Sequence, residues 1–181
     1  MKLSAKDVRP TYKHSINYGV HEGNMKQYMT GRHSVGLDFD VFLPSKGMNL
    51  QRPLVWTLLQ KQQLILSMLR EVQLPKFVKV RHQFEDGTEK CEVLDGKQRL
   101  NAIFQFIAGE FKIEIDGQLY GFNDLDDSLQ SDITNPKGFI WDVHYSYSDD
   151  PISDETKIQI FEQINFLGTP QDIEHLNSLK A

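Results

Sequence analysis

Two Asp-Gly dipeptides, Asp86-Gly87 and Asp116-Gly117, constrain the fold of this chain more than any other feature of its sequence. Each lies between two short apolar runs, and an Asp-Gly pair in that position is a strong local signal for a β-hairpin. The predicted hairpins pair residues 77–84 with 90–94 and residues 111–115 with 119–122. Because hairpins and helical patterns alternate irregularly and without repeats, we expect an α+β domain rather than a parallel βαβ array.

Helical patterns separate these hairpins. Thr57 and Gln60 form a capping-box signature, and apolar residues spaced three, four or seven apart follow it until Pro75 stops the helix. Further helices are predicted over residues 100–108, about 125–133, 155–164 after the cap residue Ser153, and from Thr169 onward. Period-two alternation predicts strands over residues 35–43 and 139–147. The expected architecture is a single compact domain of mixed or antiparallel hairpin strands packed by helices.

The length of 181 residues suits one domain with its own hydrophobic core. We divide the chain into a polar, basic N-terminal extension over residues 1–34 and one domain over residues 35–181. The single cysteine, Cys91, lies in an apolar run and excludes an internal disulfide or a multi-cysteine zinc site, so we expect no zinc or other protein-bound metal. Without a signal peptide or a membrane-length apolar run, we expect a cytoplasmic protein with no membrane partner.

Charge is distributed unevenly along the chain. Residues 1–81 hold 13 Lys and Arg against 5 Asp and Glu, whereas residues 82–181 hold 7 against 20. Such a division is typical of a surface that faces nucleic acid or phosphate. The alternative, which we favour, is that the two halves interleave in space and largely neutralise each other.

The segment Asp95-Gly96-Lys97-Gln98-Arg99 carries the clearest functional signal. It lies where a strand is predicted to end and a helix to begin, and the free N–H groups and dipole of a helix start attract anions. Arg99 adds a forked donor set suited to a phosphate or a carboxylate. The structural alternative is that Asp95 caps the helix and Gln98 completes a capping box.

A second pair of amide and guanidinium side chains, Gln51-Arg52, precedes the helix that starts at Thr57. The two Gln-Arg pairs could converge on one polyanionic ligand, although Arg52 could equally pair with an acidic side chain. Asn165 lies in a polar turn after a helix, where it could cap that helix or reach a ligand. The sequence contains no Walker-type phosphate loop, GxGxxG, HExxH or GxSxG motif, which argues against the common phosphate-loop and zinc chemistries.

Three ordered segments resemble the DGQQR-motif family. They are Leu50-Gln51-Arg52-Pro53-x-x-Trp56, the run from Glu92 to Phe106 around Asp95-Gly96-Lys97-Gln98-Arg99, and Ile160-Phe161-x-x-Ile164-Asn165-x-x-Gly168-Thr169-Pro170. The resemblance covers roughly residues 35 to 179. That family is related to the ParB and sulfiredoxin fold, and its domains form the N-terminal part of GmrSD-like modification-dependent restriction enzymes and of some phosphorothioate-sensing antiphage proteins.

The resemblance implies a ParB-like domain that binds and helps to hydrolyse a nucleoside triphosphate and uses that event to control a nuclease. Mg²⁺ could accompany the nucleotide, since Asp95 could hold the ion, orient water or simply cap the helix, and we favour capping. The resemblance also implies catalytic roles for Asp95 and Arg99. It implies nucleotide and phosphate binding by Gln51, Arg52, Gly96, Lys97, Gln98, Arg99 and Asn165. Lys97 departs from the motif, because it replaces the first Gln, loses an acceptor and adds a positive charge.

Two hypotheses follow from the resemblance. The first is a stand-alone nucleotide-binding domain, a weak NTPase, linked to restriction or antiphage defence or to its counteraction in a bacterial or phage-infected cell. The second is a non-enzymatic module that binds DNA or a separate nuclease or defence protein, as a decoy, inhibitor or adaptor. Nuclease activity is not expected of this chain alone, because the His-Asn-His cluster of the longer family members does not occur in it.

Overall fold

The computed structural model describes residues 17–22, 36–135, 140–147 and 152–166. The strands in chain order are β1 (Asn17–Glu22), β2 (Leu37–Asp38), β3 (Phe42–Leu43), β4 (Met48–Asn49), β5 (Phe77–Gln83), β6 (Glu89–Asp95), β7 (Ile113–Ile115), β8 (Gln118–Tyr120) and β9 (Ile140–Tyr147). The helices are α1 (Leu58–Leu69), α2 (Lys97–Ile107), α3 (Asp127–Thr134) and α4 (Asp154–Phe166), with a 3₁₀ turn at Phe122–Asp124.

A mixed sheet of five strands in the order β1-β9-β5-β6-β2 forms the centre of the fold. The pairs β1/β9 and β5/β6 are antiparallel, whereas β9/β5 and β6/β2 are parallel. Two small hairpins, β3/β4 and β7/β8, lie outside this sheet. The expected α+β class with mixed strands is therefore confirmed.

Two hydrophobic clusters lie against the central hairpin β5/β6. Phe77 and Val93 belong to the larger cluster, which α1, α2 and α3 complete. Val78, Val80 and Leu94 belong to the second cluster, which includes residues of α4. Alternation along the two strands thus places helices against both faces of the sheet, and it fixes α2 and α4 on either side of the end of β6.

The turns and helix caps predicted from local sequence signals are present in the structure. Both predicted hairpins form, as β5/β6 and β7/β8. At the start of α1, Thr57 Oγ1 accepts a hydrogen bond from the Gln60 N–H at 3.3 Å, and Gln60 Oε1 accepts one from the Thr57 N–H at 2.8 Å. Ser153 Oγ likewise accepts a hydrogen bond from the Thr156 N–H, at 3.3 Å, at the start of α4. These elements are set by interactions within a few residues, which a sequence pattern displays directly.

The predicted strand over residues 35–43 is wrong as a single element. Only the short strands β2 and β3 form, and they belong to different sheets. The Asp38 carboxylate accepts a hydrogen bond from the Asp40 N–H at 2.9 Å, which turns the backbone where a continuous ladder was expected.

The N-terminal extension contributes β1, which pairs with β9 at one edge of the sheet. The helix predicted from Thr169 lies outside the described residues. Among the helices within the described ranges, none combines the length and apolar content that crossing a membrane requires.

Candidate functional site

A polar cavity of about 110 Å³ lies where β6 ends and α2 begins. Two segments that are far apart in sequence meet there, residues 94–99 and the loop at residues 51–56. The lining residues, which define what we call the motif cavity, are Gln51, Arg52, Trp56, Leu94, Asp95, Gly96, Lys97, Gln98, Arg99 and Phe161. The structure thus brings both Gln-Arg pairs to one cavity.

Gly96 makes the turn from β6 into α2. Its φ of 100° lies in the left-handed region that side chains disfavour. A Cβ atom at this position would lie 2.9 Å from Cε1 of Phe77 and closer still to Cδ1. Because the Phe77 ring is fully buried, it has little room to withdraw. Both the backbone conformation and the close approach therefore require glycine here.

The capping-box prediction for Asp95 and Gln98 is wrong. Gly96 occupies the N-cap position of α2, and it has no side chain to cap the helix. Asp95 is the last residue of β6, and its carboxylate accepts a hydrogen bond from Nη2 of Arg99 at 2.7 Å instead. Because helix starts leave their first N–H groups without partners inside the helix, α2 presents backbone donors at the motif cavity.

Arg99 holds the start of α2 against the segment that leads into β5. Its guanidinium donates hydrogen bonds to the carbonyl oxygens of Pro75 and Lys76, the latter at 3.1 Å, as well as to Asp95. Its Cζ lies 4.4 Å from the centre of the Phe77 ring. Burial lowers the pKa of Arg99, and the neighbouring Asp95 carboxylate opposes that effect. The side chain is only 13% exposed, so most of its contacts are with other parts of the protein.

Gln98 joins α2 to the loop in front of α1. Its Oε1 accepts hydrogen bonds from the N–H groups of Val55 and Trp56 at 3.1 and 3.3 Å. Its Nε2 donates to the carbonyl oxygen of Pro53 at 2.8 Å. This amide therefore fixes the position of the loop that carries Arg52.

Lys97 and Arg99 are the two cations of the segment at residues 95–99, and Lys97 has the more exposed carboxylate as its partner. Its Nζ lies 2.8 Å from Oδ1 of Asp40, and its side chain is 10% exposed, whereas that of Asp40 is 77% exposed. An exposed carboxylate is a weak partner for an ammonium group that is otherwise buried. An anion that entered the cavity could replace Asp40 at Lys97 with little rearrangement.

The remaining predicted residues divide into two groups. Gln51 and Arg52 line the motif cavity, and Nε2 of Gln51 donates to the carbonyl oxygen of Val93, next to the strand end. Asn165 is buried in α4, and its amide donates to the carbonyl oxygen of Phe161 at 2.7 Å. Phe161, not Asn165, is the residue of α4 that lines the cavity.

Sequence reasoning did not single out Asp40 or Phe161. Asp40 reaches Lys97 across 57 positions of the chain, and no local pattern signals such a contact. Phe161 does lie within the third segment of the family resemblance, so that segment contained the available signal.

A polar network centred on the buried Glu92 carboxylate joins β5, β6 and α4. Glu92 is fully buried and accepts hydrogen bonds from Lys157 at 2.7 Å, Lys90 at 2.8 Å and His82 Nε2 at 3.1 Å. The Nδ1 atom of His82 accepts a hydrogen bond from the Ile152 N–H at 3.0 Å, so the proton of the neutral ring is on Nε2.

This network holds Glu92 in its charged form. Burial alone would raise the pKa of the Glu92 carboxyl, but the hydrogen bonds from His82, Lys157 and Lys90 outweigh it and lower the pKa to about 2. The network therefore fixes α4, and with it Phe161, against the sheet.

The described residues that line the motif cavity do not supply enough ligands for a metal site of their own. Asp95 is the carboxylate among the residues that line the motif cavity, and it is paired with Arg99. In the described part of the chain, no group of three or more His, Cys, Asp or Glu side chains could hold a metal ion. A Mg²⁺ ion would depend on the phosphates of a bound ligand for its coordination.

The fold and this cavity define an α+β domain with an anion-suited site at a strand–helix junction. Residues 49–178 match the family described as GmrSD restriction endonuclease, N-terminal domain. The match covers most of the chain, and the chain belongs to this family. No curated protein and no solved structure gives a significant match. The protein is therefore a restriction-related module, in agreement with the resemblance of its three motifs.

Proposed function

We propose that this domain binds the phosphates of a nucleoside triphosphate in the motif cavity and acts as the nucleotide-responsive part of a restriction or antiphage defence system. The observation that carries the proposal is the convergence of Gln51-Arg52 and residues 95–99 on one cavity. Two cations and a helix start with its own backbone donors suit a polyphosphate in charge and in geometry.

Arg52 and Lys97 are the proposed phosphate ligands. Both line the motif cavity, and Lys97 has an exposed carboxylate as its partner, which a phosphate oxygen would replace. The N–H groups at the start of α2 would add neutral donors beside these two charges. Phosphate recognition then needs no glycine-rich loop, because the helix start at Gly96 already lines the motif cavity.

Asp95 and Arg99 act in this proposal chiefly as positioning residues. Their ion pair and the Arg99 contacts to Pro75 and Lys76 hold the start of α2 in place. The exposed part of Arg99 would face the bound phosphates, where a fixed positive charge stabilises the charge that develops during hydrolysis. Weak NTPase activity is therefore part of the proposal, and phosphate release is its measurement.

Calorimetry with inorganic tripolyphosphate tests the phosphate site directly. Arg52→Gln should lower affinity by about ten-fold or more, because it removes a charge-assisted contact. Arg70→Gln, at the exposed end of α1, is the matched control and should leave affinity unchanged. Equal affinities for Arg52→Gln and the parent protein would show that Arg52 is not a phosphate ligand.

A partner-binding function is supported by a separate observation. Leu54, Val55, Leu58 and Leu59 are 50–64% exposed and follow one another closely before and within the first turn of α1. Adjacent exposed leucines of this kind are typical of a protein contact surface. Sedimentation velocity with the nuclease part of a GmrSD enzyme tests this function, and Leu58→Asp should abolish any complex that forms.

A further inference from the structure

Two larger cavities adjoin the motif cavity and share lining residues with it. The middle cavity, of about 380 Å³, shares Gln51, Arg52 and Lys97 with the motif cavity. The aromatic cavity, of about 350 Å³, shares Asp40, Pro53 and Lys97 with the middle cavity. Lys97 lines all three, so the three spaces adjoin one another in a row around one buried ammonium group.

The chemistry of the walls changes along this row. The motif cavity is lined largely by charged and amide side chains. The aromatic cavity is lined by the rings of Phe39 and Phe104, whose centres lie 6.2 Å apart at an interplanar angle of 80°, and by Leu54. Asn101 adds one amide there, one helical turn beyond Lys97 on α2.

We propose that the aromatic cavity is a nucleobase site, so that a nucleoside triphosphate lies along the row with its phosphates at the motif cavity. This inference rests on the proposed phosphate site. A flat aromatic ring fits a space bordered by two phenyl rings, since base–aromatic contacts are favourable for every base. The Asn101 amide carries both a donor and an acceptor for the edge of that base.

The exposure of the neighbouring side chains is consistent with this occupant. Leu54 is 50% exposed although it borders an apolar space, and Asp40 is 77% exposed although it pairs with Lys97. A base that filled the aromatic cavity would cover Leu54. A phosphate or ribose oxygen near Lys97 would take over the contact that Asp40 now makes.

The test compares inorganic tripolyphosphate with the four ribonucleoside triphosphates by calorimetry. At least one nucleotide should bind about ten-fold more tightly than tripolyphosphate, because stacking adds to the phosphate contacts. The double variant Leu54→Ser/Asn101→Ala should remove that advantage and leave tripolyphosphate binding unchanged. The matched control Leu59→Ser/Asn123→Ala alters a leucine that is 64% exposed and an exposed asparagine, neither of which lines the cavity, and it should change neither affinity.

Each outcome decides between the two proposals. If tripolyphosphate and all four nucleotides bind equally well, the phosphate site stands and the nucleobase site is wrong. If the double variant weakens tripolyphosphate and nucleotide binding by the same factor, the aromatic cavity does not contact the base. If neither ligand type binds, the phosphate site is wrong, and the nucleobase site is wrong with it.

Discussion

Gly96 combines two steric demands at a single residue. Its left-handed φ is unfavourable for any residue with a Cβ, and the Phe77 ring occupies the place where that atom would lie. The same turn directs the Asp95 carboxylate to Arg99 and leaves α2 without a side-chain cap. Gly96 thus determines how β6 turns into α2 and how Asp95 and Arg99 are placed on either side of that turn.

Gly96→Ala should therefore destabilise the protein more than an ordinary glycine substitution does. We expect a loss of about 3 kcal/mol in the free energy of unfolding, from the strained backbone together with the overlap with Phe77. Gly109→Ala is the matched control, because Gly109 has a φ of 79° but nothing within 4 Å of its would-be Cβ. Its expected loss is about 1 kcal/mol. Equal losses in chemical denaturation would show that the Phe77 contact has no energetic effect.

At the scale of elements, the Glu92 network joins β5, β6 and α4. Three side chains donate to the one buried carboxylate: His82 from β5, Lys90 from β6 and Lys157 from α4. Because the cost of burying such a charge is met only when all its partners are in place, the network favours one position of α4 over others. Phe161 on that helix then closes one wall of the motif cavity.

The lowered pKa of Glu92 predicts how stability depends on pH. The pKa is about 2 in the folded protein against 4.5 for the free group, so the unfolded chain takes up the proton first as the pH falls. The stabilisation, roughly 3 kcal/mol, is complete above about pH 4.5 and is lost as the pH falls towards 2. Urea unfolding at a series of pH values measures it.

Glu92→Gln tests the origin of that dependence. It should lower the free energy of unfolding at pH 7 by about 3 kcal/mol, because Lys157 is left as a buried cation without its charged partner. It should also flatten the profile between pH 5 and 2. Glu114→Gln, at an exposed position of β7, is the control and should keep the slope of the parent protein. A variant at position 92 with an unchanged slope would show that another carboxyl group causes the acid sensitivity.

At the scale of the whole molecule, the basic and acidic halves of the sequence partly interleave. Arg81 pairs with Glu89, so a cation of residues 1–81 meets an acid of residues 82–181. Lys97–Asp40 and Lys90–Asp38 also join the two halves, but with the cation in the acidic half and the carboxylate in the basic half. The two halves are therefore in contact, and of these three pairs only Arg81–Glu89 neutralises a cation of the basic half. Within the described ranges, the cations that matter for the proposed function are concentrated at the motif cavity.

The sequence was sufficient where structure depends on neighbouring residues. The hairpin at Asp86-Gly87 and the capping box of Thr57 and Gln60 form as predicted, because the hydrogen bonds of the turn and of the cap span only three or four positions. A helix does start in this segment, at residues 95–99, but the sequence does not show that Gly96, not Asp95, is its N-cap, because the close contact that requires glycine there comes from Phe77, 19 positions away on the neighbouring strand. For Gln98 the sequence leaves ligand binding and a capping box open, and the capping box does not form because the amide contacts residues 42 to 45 positions away.

These long-range contacts make ligand binding a property of the whole fold. Gln98 fixes the loop beside Arg52, Arg99 fixes the segment before β5, and the Glu92 network fixes α4. All three groups of contacts meet at residues that line the motif cavity, and they exist only in the folded chain. A ligand held there should bind the native state alone and raise the melting temperature.

The expected shift is large enough to measure by differential scanning fluorimetry. At a nucleotide concentration of 100 times the dissociation constant, binding adds about 2.7 kcal/mol, which corresponds to roughly 5 to 10 °C for a chain of this size. The shift should be smaller for Arg52→Gln, and comparing samples with and without Mg²⁺ shows whether the metal enters with the phosphates. A melting temperature that no nucleoside triphosphate raises, with or without Mg²⁺, would contradict nucleotide binding and favour the partner-binding function of the exposed leucines before α1.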